Sequence, residues 1–355
     1  VDVVKIPVCG IKLGDKAMAT LLPTGKLDPE LLKVLLERYT SKDERVVVGA
    51  GFGEDAAVID MGSGYLVVKS DPITFATDLI GWYAVHVNAN DVAVMGAKPR
   101  WMLCTVLLPQ GQATPEMADA IFAQVAEAAG KLGISIIGGH TEVTYDLNRP
   151  IVVGHILGEV DKDKLVTTAG AKEGDDVILV KGIPIEGTSI IAREKEEELR
   201  RRGYEEEFIE KAKSFLFDPG ISVVEAALLA VDTAPIHSMH DPTEGGLAMG
   251  LYEVAEAAGV GLLIDREAVE VLPEGQRLCN EFGLDPLGTI ASGALVITLA
   301  PEHTPLLLEA YREKGISCKV IGKVLSKAEG QWLKEGKKLK TLKPFPQDEI
   351  TKLFS

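Results

Sequence analysis

The feature that most constrains this chain is an alternation of periodicities. Short runs of β-branched residues take turns with alanine- and leucine-rich stretches at helical spacing along most of its length. Met102–Leu108, Ile134–Ile137, Ile151–Gly158, Val177–Val180 and Cys318–Val324 read as strands. Residues 79–96, 115–132, 221–231, 244–258 and 302–314 read as helices. Strands separated by helices of this length predict an α/β or interleaved α+β fold. With 355 residues, the chain is too long for one comfortable core. A boundary is expected at Asp161-Lys162-Asp163-Lys164 and the Thr/Ala/Gly stretch after it. That gives a first domain over 1–165, a second over 166–330 and a lysine- and glycine-rich peripheral tail over 331–355. Asp28 is expected to cap a helix that begins at Pro29, and the charged run Arg193–Lys213 to be a solvated helical face.

Charge narrows the function classes. A formal net charge of −16 repels nucleic-acid phosphates and anionic headgroups, so neither nucleic acid nor a membrane surface is expected as a partner. Cys9, Cys104, Cys279 and Cys318 are scattered and form no CxxC, which fits a reducing compartment and gives no zinc or redox pair. No apolar run reaches the roughly 18 residues of a membrane span, and the expected location is cytoplasmic.

The chemistry is expected where acids stand at element ends. Gly49, Gly51 and Gly53 form a glycine-dense loop that can bring backbone N–H groups to a phosphate, and Asp55 follows it. The loop lacks the Gly-Lys-Ser/Thr of a Walker A sequence and the long following helix of a dinucleotide fingerprint. Asp71 ends an apolar strand, Glu142 follows Gly138-Gly139-His140-Thr141, and Asp241 ends the strand at 236–239. Most of these have ordinary readings as caps or turns; Asp241, for instance, could cap the helix that follows. Asp91, beside Asn90, is harder to explain that way. Its neighbours Val87, Ala89, Val92 and Met95 are apolar, and a carboxylate buried among them is costly unless paired or on a metal. Together the acids suit magnesium, a hard cation that takes oxygen ligands and is usually shared with substrate phosphates.

Six segments, in order, resemble the AIR synthase superfamily over about residues 27–325. They are Gly53-Glu54-Asp55-Ala56-Ala57-Val58, Ser70-Asp71, Asn90-Asp91 through Gly96-Ala97-Lys98-Pro99, Gly138-Gly139-His140-Thr141-Glu142, His240-Asp241-Pro242-Thr243-Glu244-Gly245-Gly246, and Ala291-Ser292-Gly293. The resemblance implies two domains: an N-terminal mixed sheet with helices, through which members form homodimers, and a C-terminal α/β sandwich. It also implies ATP in a cleft beside the glycine-rich segment, with magnesium on Asp55, Asp71, Asp91 and Asp241. Asp55, Asp91, Glu142 and Asp241 are then the expected catalytic residues. Gly49, Gly51, Gly53, Asp71, Asn90, Gly138, Gly139 and His140 are the expected nucleotide contacts.

Within the superfamily, Asp241-Pro242-Thr243 and Leu284-Asp285-Pro286-Leu287 are most similar to the hydrogenase maturation branch, HypE. That branch implies ATP-dependent dehydration of a carboxamide on a C-terminal cysteine, and a maturation-protein partner. The sequence departs from that pattern, with no cysteine after Cys318 and Glu244 where that branch has arginine. Cys9-Gly10-Ile11-Lys12 faintly resembles the reactive segment of selenophosphate synthetases, and a thiamine monophosphate kinase is a further alternative. A nucleotide-binding partner without catalysis also stays open. The acceptor is expected to be a small molecule or a group carried on a protein.

Overall fold

The computed structural model describes residues 22, 27, 29–41, 43–51, 53–73, 78–345 and 347–354. Cys9, its neighbours and the expected cap at Asp28 lie outside them. The elements follow the alternation in the sequence. After α1 (Pro29–Tyr39) come β1 (Val46–Val48), β2 (Ala57–Asp60), β3 (Tyr65–Ile73), α2 (Ile80–Val94), β4 (Lys98–Pro109), α3 (Pro115–Leu132), β5 (Ser135–Thr144) and β6 (Ile151–Val160). The six strands form one mixed sheet in the order β1-β2-β3-β6-β4-β5.

The second half opens with β7 (Asp176–Val180), α4 (Ile185–Glu194), α5 (Glu196–Arg201), α6 (Glu206–Ser214), α7 (Val224–Thr233), β8 (Ser238–His240) and α8 (Gly246–Ala258). It continues with β9 (Gly261–Asp265), α9 (Pro273–Phe282), β10 (Leu295–Leu299), α10 (Thr304–Glu313), β11 (Cys318–Leu325), β12 (Gln331–Glu335) and β13 (Lys338–Thr341). Its seven strands form a second mixed sheet, β13-β12-β9-β11-β7-β10-β8.

Helix α2 is mostly apolar and gathers its few polar residues on no single face, and all fifteen of its residues are buried, as a helix lacking a polar face requires. It lies on the first sheet at very short range. A Cβ at Gly154 of β6 would come within 2.4 Å of Asn88 Nδ2 and 2.8 Å of the Ala84 carbonyl, so only glycine admits the helix there. By composition, the stretch Glu206–Thr233 is long and apolar enough to cross a membrane. Asp218, with extended backbone at φ −145° and ψ 111°, breaks it. The pieces on either side, α6 and α7, bury Ile209, Ala212, Val224, Ala226, Ala227 and Ala230 in the core.

The C-terminal residues correct the expectation of a peripheral tail. β12 pairs in parallel with β9, and Leu342, Ile350 and Leu353 are buried. Asp348 accepts hydrogen bonds from the Gly245 N–H (2.6 Å) and the Ile350 N–H (2.9 Å), while Lys195 Nζ donates to the Leu353 carbonyl at 2.7 Å. Composition misled here because the exposed lysines of β12 and β13 stand beside a few buried anchors, Leu333, Leu342, Ile350 and Leu353.

Candidate metal and phosphate site

Four elements converge where the two sheets meet. Asp55 precedes β2, Asp91 stands in the last turns of α2, and Asp241 directly follows β8. All three are buried, at 9 %, 4 % and 2 % exposure, and each offers a carboxylate oxygen within 4.8 Å of the other two. Asp71 joins from β3. Side chains on a strand alternate between faces, so Asp71 shares its face with Lys69, two residues earlier. Lys69 Nζ lies 3.1 Å from Asp91 Oδ2 and 3.7 Å from Asp71 Oδ2. The expectation that Asp241 caps the next helix is not met: α8 begins behind Gly245, and Asp241 is turned into the cluster.

Negative charge is crowded in this cluster and only partly compensated. Burial pushes the Asp91 carboxyl up to about 7; Lys69 pulls it back, and Asp55 and Asp71 push it further. Asp241 is held well above the usual carboxylate range by burial, then by Asp91 and Asp55. Both Asp241 oxygens are buried and accept no hydrogen bond from a described residue. Orphaned carboxylate oxygens are rare in folded proteins because each forfeits its solvation without return. A divalent cation coordinated by Asp55, Asp91 and Asp241 would supply the missing partner, and an all-oxygen donor set suits magnesium.

Beyond the carboxylates, His240 of the Asp241 motif is linked to two residues that no motif contains, Glu253 directly and Thr168 through Asp55. His240 Nδ1 is 3.0 Å from Asp55, and its Nε2 is 3.0 Å from Glu253 on α8. Burial pulls the imidazole down, but Asp55 and Glu253 outweigh it, and His240 is held well above its ordinary value as an imidazolium. Thr168 Oγ1 donates to Asp55 at 3.0 Å. Asp55 is thereby fixed from two directions, as ligating carboxylates commonly are.

The sequence profile described as AIR synthase related protein, N-terminal domain, matches residues 53–160, and the profile of the C-terminal domain matches residues 172–332. The chain belongs to the AIR synthase related family. A hydrogenase expression/formation protein of Methanocaldococcus jannaschii is 30 % identical over 306 residues, covering 84 % of this chain and 88 % of that protein. The carbamoyl dehydratase HypE of Cupriavidus necator is 30 % identical over 290 residues, 77 % of each chain. Among solved structures, the hydrogenase maturation protein HypE in complex with ATP superposes with a TM-score of 0.69 at 25 % identity, covering 83 % of this chain and 89 % of that one.

Some residues expected at the AIR synthase cleft are placed elsewhere. Both ends of the Asn90 amide are engaged: Nδ2 donates to the Ile221 carbonyl (2.8 Å) and Oδ1 accepts from the Val223 N–H (2.9 Å). Asn90 is thus a fully buried clamp between α2 and the segment before α7. Gly138, Gly139, His140 and Glu142 lie on β5, the sheet edge, where every residue from Ser135 to Val143 is exposed. Asp71, Gly154, Cys104 and Gly139 occupy one row across β3, β6, β4 and β5. Three strand spacings put Gly139 about 14 Å from Asp71. The Gly-Gly pair has a local cause: the β4–β5 register shifts beside it, and a Cβ on Gly139, at φ +151°, would strike the Cys104 carbonyl at 1.9 Å. His140 Nε2 and Glu142 Oε2 meet only each other among the described residues, at 3.2 Å. Gly49 and Gly51 are exposed, while Gly53, at φ +84°, packs on Glu253 and Ala257 of α8.

Proposed function

We propose that this protein is a magnesium-ATP-dependent enzyme of the HypE type that activates a carbonyl, amide or phosphate oxygen by phosphoryl transfer, in the maturation of a hydrogenase. The observation that carries the reading is the convergence of Asp55, Asp91 and Asp241, with both Asp241 oxygens unpartnered. The similarity to HypE chains over more than three quarters of the sequence supports the choice of branch.

Asp55, Asp91 and Asp241 hold the metal, with Asp71 at the rim of the cluster, on this reading. Magnesium, when bound, neutralises charge on the phosphates. The chain's own groups do the rest. Asp55 is oriented by His240 and Thr168, so that the site is formed before nucleotide arrives. The Gly49–Gly53 loop, open to solvent on one side, offers backbone N–H groups to the nucleotide. Converting an acceptor oxygen to its phosphate makes it a good leaving group, the step that dehydration and cyclisation share.

The reading extends to a homodimer. Among the described residues β5 presents an unpaired edge with Ile136, Ile137 and Val143 between 46 % and 57 % exposed, the kind of edge that proteins otherwise blunt. A second copy would cover it, and a maturation protein is the proposed further partner. The proposed location is cytoplasmic.

Calorimetric titration of ATP with and without magnesium, on wild type and Asp91→Asn, tests the reading. It expects magnesium-dependent binding that the variant loses. Absence of nucleotide binding in wild type under both conditions would refute it. Binding with no ADP release against any acceptor would favour the non-catalytic alternative.

A further inference from the structure

Two cationic groups face the four aspartates, and they are held very differently. His240 is gripped at both ring nitrogens, by Asp55 and by Glu253, and has no room to leave. Lys69 touches Asp91 at one point and Asp71 at longer range, on a four-carbon stem whose side chain is 21 % exposed. Its ammonium stands against Asp91 and Asp71 directly and feels Asp55 through the field. A divalent cation entering between Asp55, Asp91 and Asp241 would compete with Lys69 for Asp91.

We infer that Lys69 is a displaceable counter-ion: it neutralises Asp91 in the free protein and, once a divalent cation takes the carboxylates, turns its ammonium onto the phosphate oxygens of the bound nucleotide. This rests on the magnesium-ATP reading above and adds to it a residue that the aspartate motifs do not assign. Three observations support it. The ion pair with Asp91 is the contact that a metal must break. The stem is long, flexible and partly exposed, and an ammonium with three rotatable donors suits a phosphate as well as a carboxylate. Lys69 also lies on the strand face that carries Asp71, so a small swing keeps it at the site's rim.

Two measurements test the inference. In the wild-type protein, acylation of Lys69 by acetic anhydride, read by peptide mass spectrometry, reports whether its ammonium is free. Magnesium alone should raise Lys69 reactivity severalfold, and magnesium with ATP should lower it below the metal-free level. Unchanged or lowered reactivity on adding magnesium alone would overturn the inference, as would ATP failing to protect. The second measurement uses Lys69→Met, with Mn2+ binding followed by electron paramagnetic resonance in the absence of nucleotide. With the competing charge gone, Mn2+ should bind at least about tenfold tighter. ATP at saturating magnesium should bind about tenfold more weakly, as loss of a charged phosphate contact implies. A lysine with only a structural role would move both affinities in the same direction. If wild type binds neither Mn2+ nor magnesium-ATP, the functional reading fails. If wild type binds both and Lys69→Met matches it, only this inference fails.

Discussion

Asp241→Asn should make the metal-free protein more stable while abolishing its response to magnesium. Asparagine keeps the shape and both polar atoms, so the substitution isolates the charge. In the structure Asp241 is 2 % exposed, within 4.8 Å of Asp55 and Asp91, and without a hydrogen-bond donor for either oxygen among the described residues. At an effective dielectric constant of about 20, two unit charges at that separation repel by about 3.5 kcal/mol. Attraction from His240 and Lys69 offsets part of the two repulsions, leaving a net gain of about 2 kcal/mol for the variant at pH 8. At about 2.1 cal/mol/K of unfolding entropy per residue, that corresponds to about 3 °C in melting temperature for 355 residues. Magnesium acts in the opposite sense. At a hundred times its dissociation constant, a ligand that binds only the folded state adds about 2.7 kcal/mol, and the variant should gain little of it. Differential scanning calorimetry of both proteins, with and without magnesium and without nucleotide, reads all four values. A variant that melts lower than wild type, or that still rises with magnesium as wild type does, would refute the reasoning that Asp241 is an uncompensated ligand.

The other expectations follow from single contacts. Asp91, held at about 7 against an ordinary 3.8, favours folding while protonated. Its contribution is complete below about pH 3.8 and lost progressively as pH rises to about 7, amounting to about 4 kcal/mol; saturating magnesium should flatten this slope in urea titrations at several pH values. Asn90→Ala leaves the Ile221 carbonyl and Val223 N–H buried and unpaired, at a cost of about 2–4 kcal/mol in urea denaturation, with ATP affinity of the folded protein preserved. Unchanged stability with lost ATP binding would return Asn90 to the nucleotide. Val143→Lys places a charge on the exposed β5 edge, and sedimentation velocity should show a dimer in wild type and a monomer in the variant.

The sequence made the cluster visible because its acids lie in short motifs whose order is preserved. Asp91 was legible on physical grounds alone, as a carboxylate in a helix with no polar face. What stayed hidden depends on contacts between distant elements. Lys69 reads in isolation as a strand residue facing solvent; only the position of α2 over that face gives it Asp91 as a neighbour. Glu253 sits on a helix thirteen residues beyond His240, and nothing local links them. Asn90 carried the same motif signal as Asp91, yet consecutive helical residues point about 100° apart, one into the cluster and the other toward the Ile221–Val223 segment. Gly138 and Gly139 looked like a phosphate loop because a bulge and a phosphate turn both demand glycine. The alternation of strands and helices predicted the elements well but not their order in the sheets, which long-range pairing decides.

The clamp at Asn90 bears on how such a chain can change over time. One ligand helix belongs to the first sheet, yet its amide is gripped by backbone from the second half, and Asp241 and His240 come from that half as well. The Asp55, Asp91 and Asp241 cluster is therefore assembled from both halves of the chain. A chimera joining the first half of this chain to the second half of a relative keeps the cluster together only if the Ile221–Val223 backbone arrives in the same place. Inheritance of the two halves as a unit, rather than shuffling of parts, is the course this architecture allows.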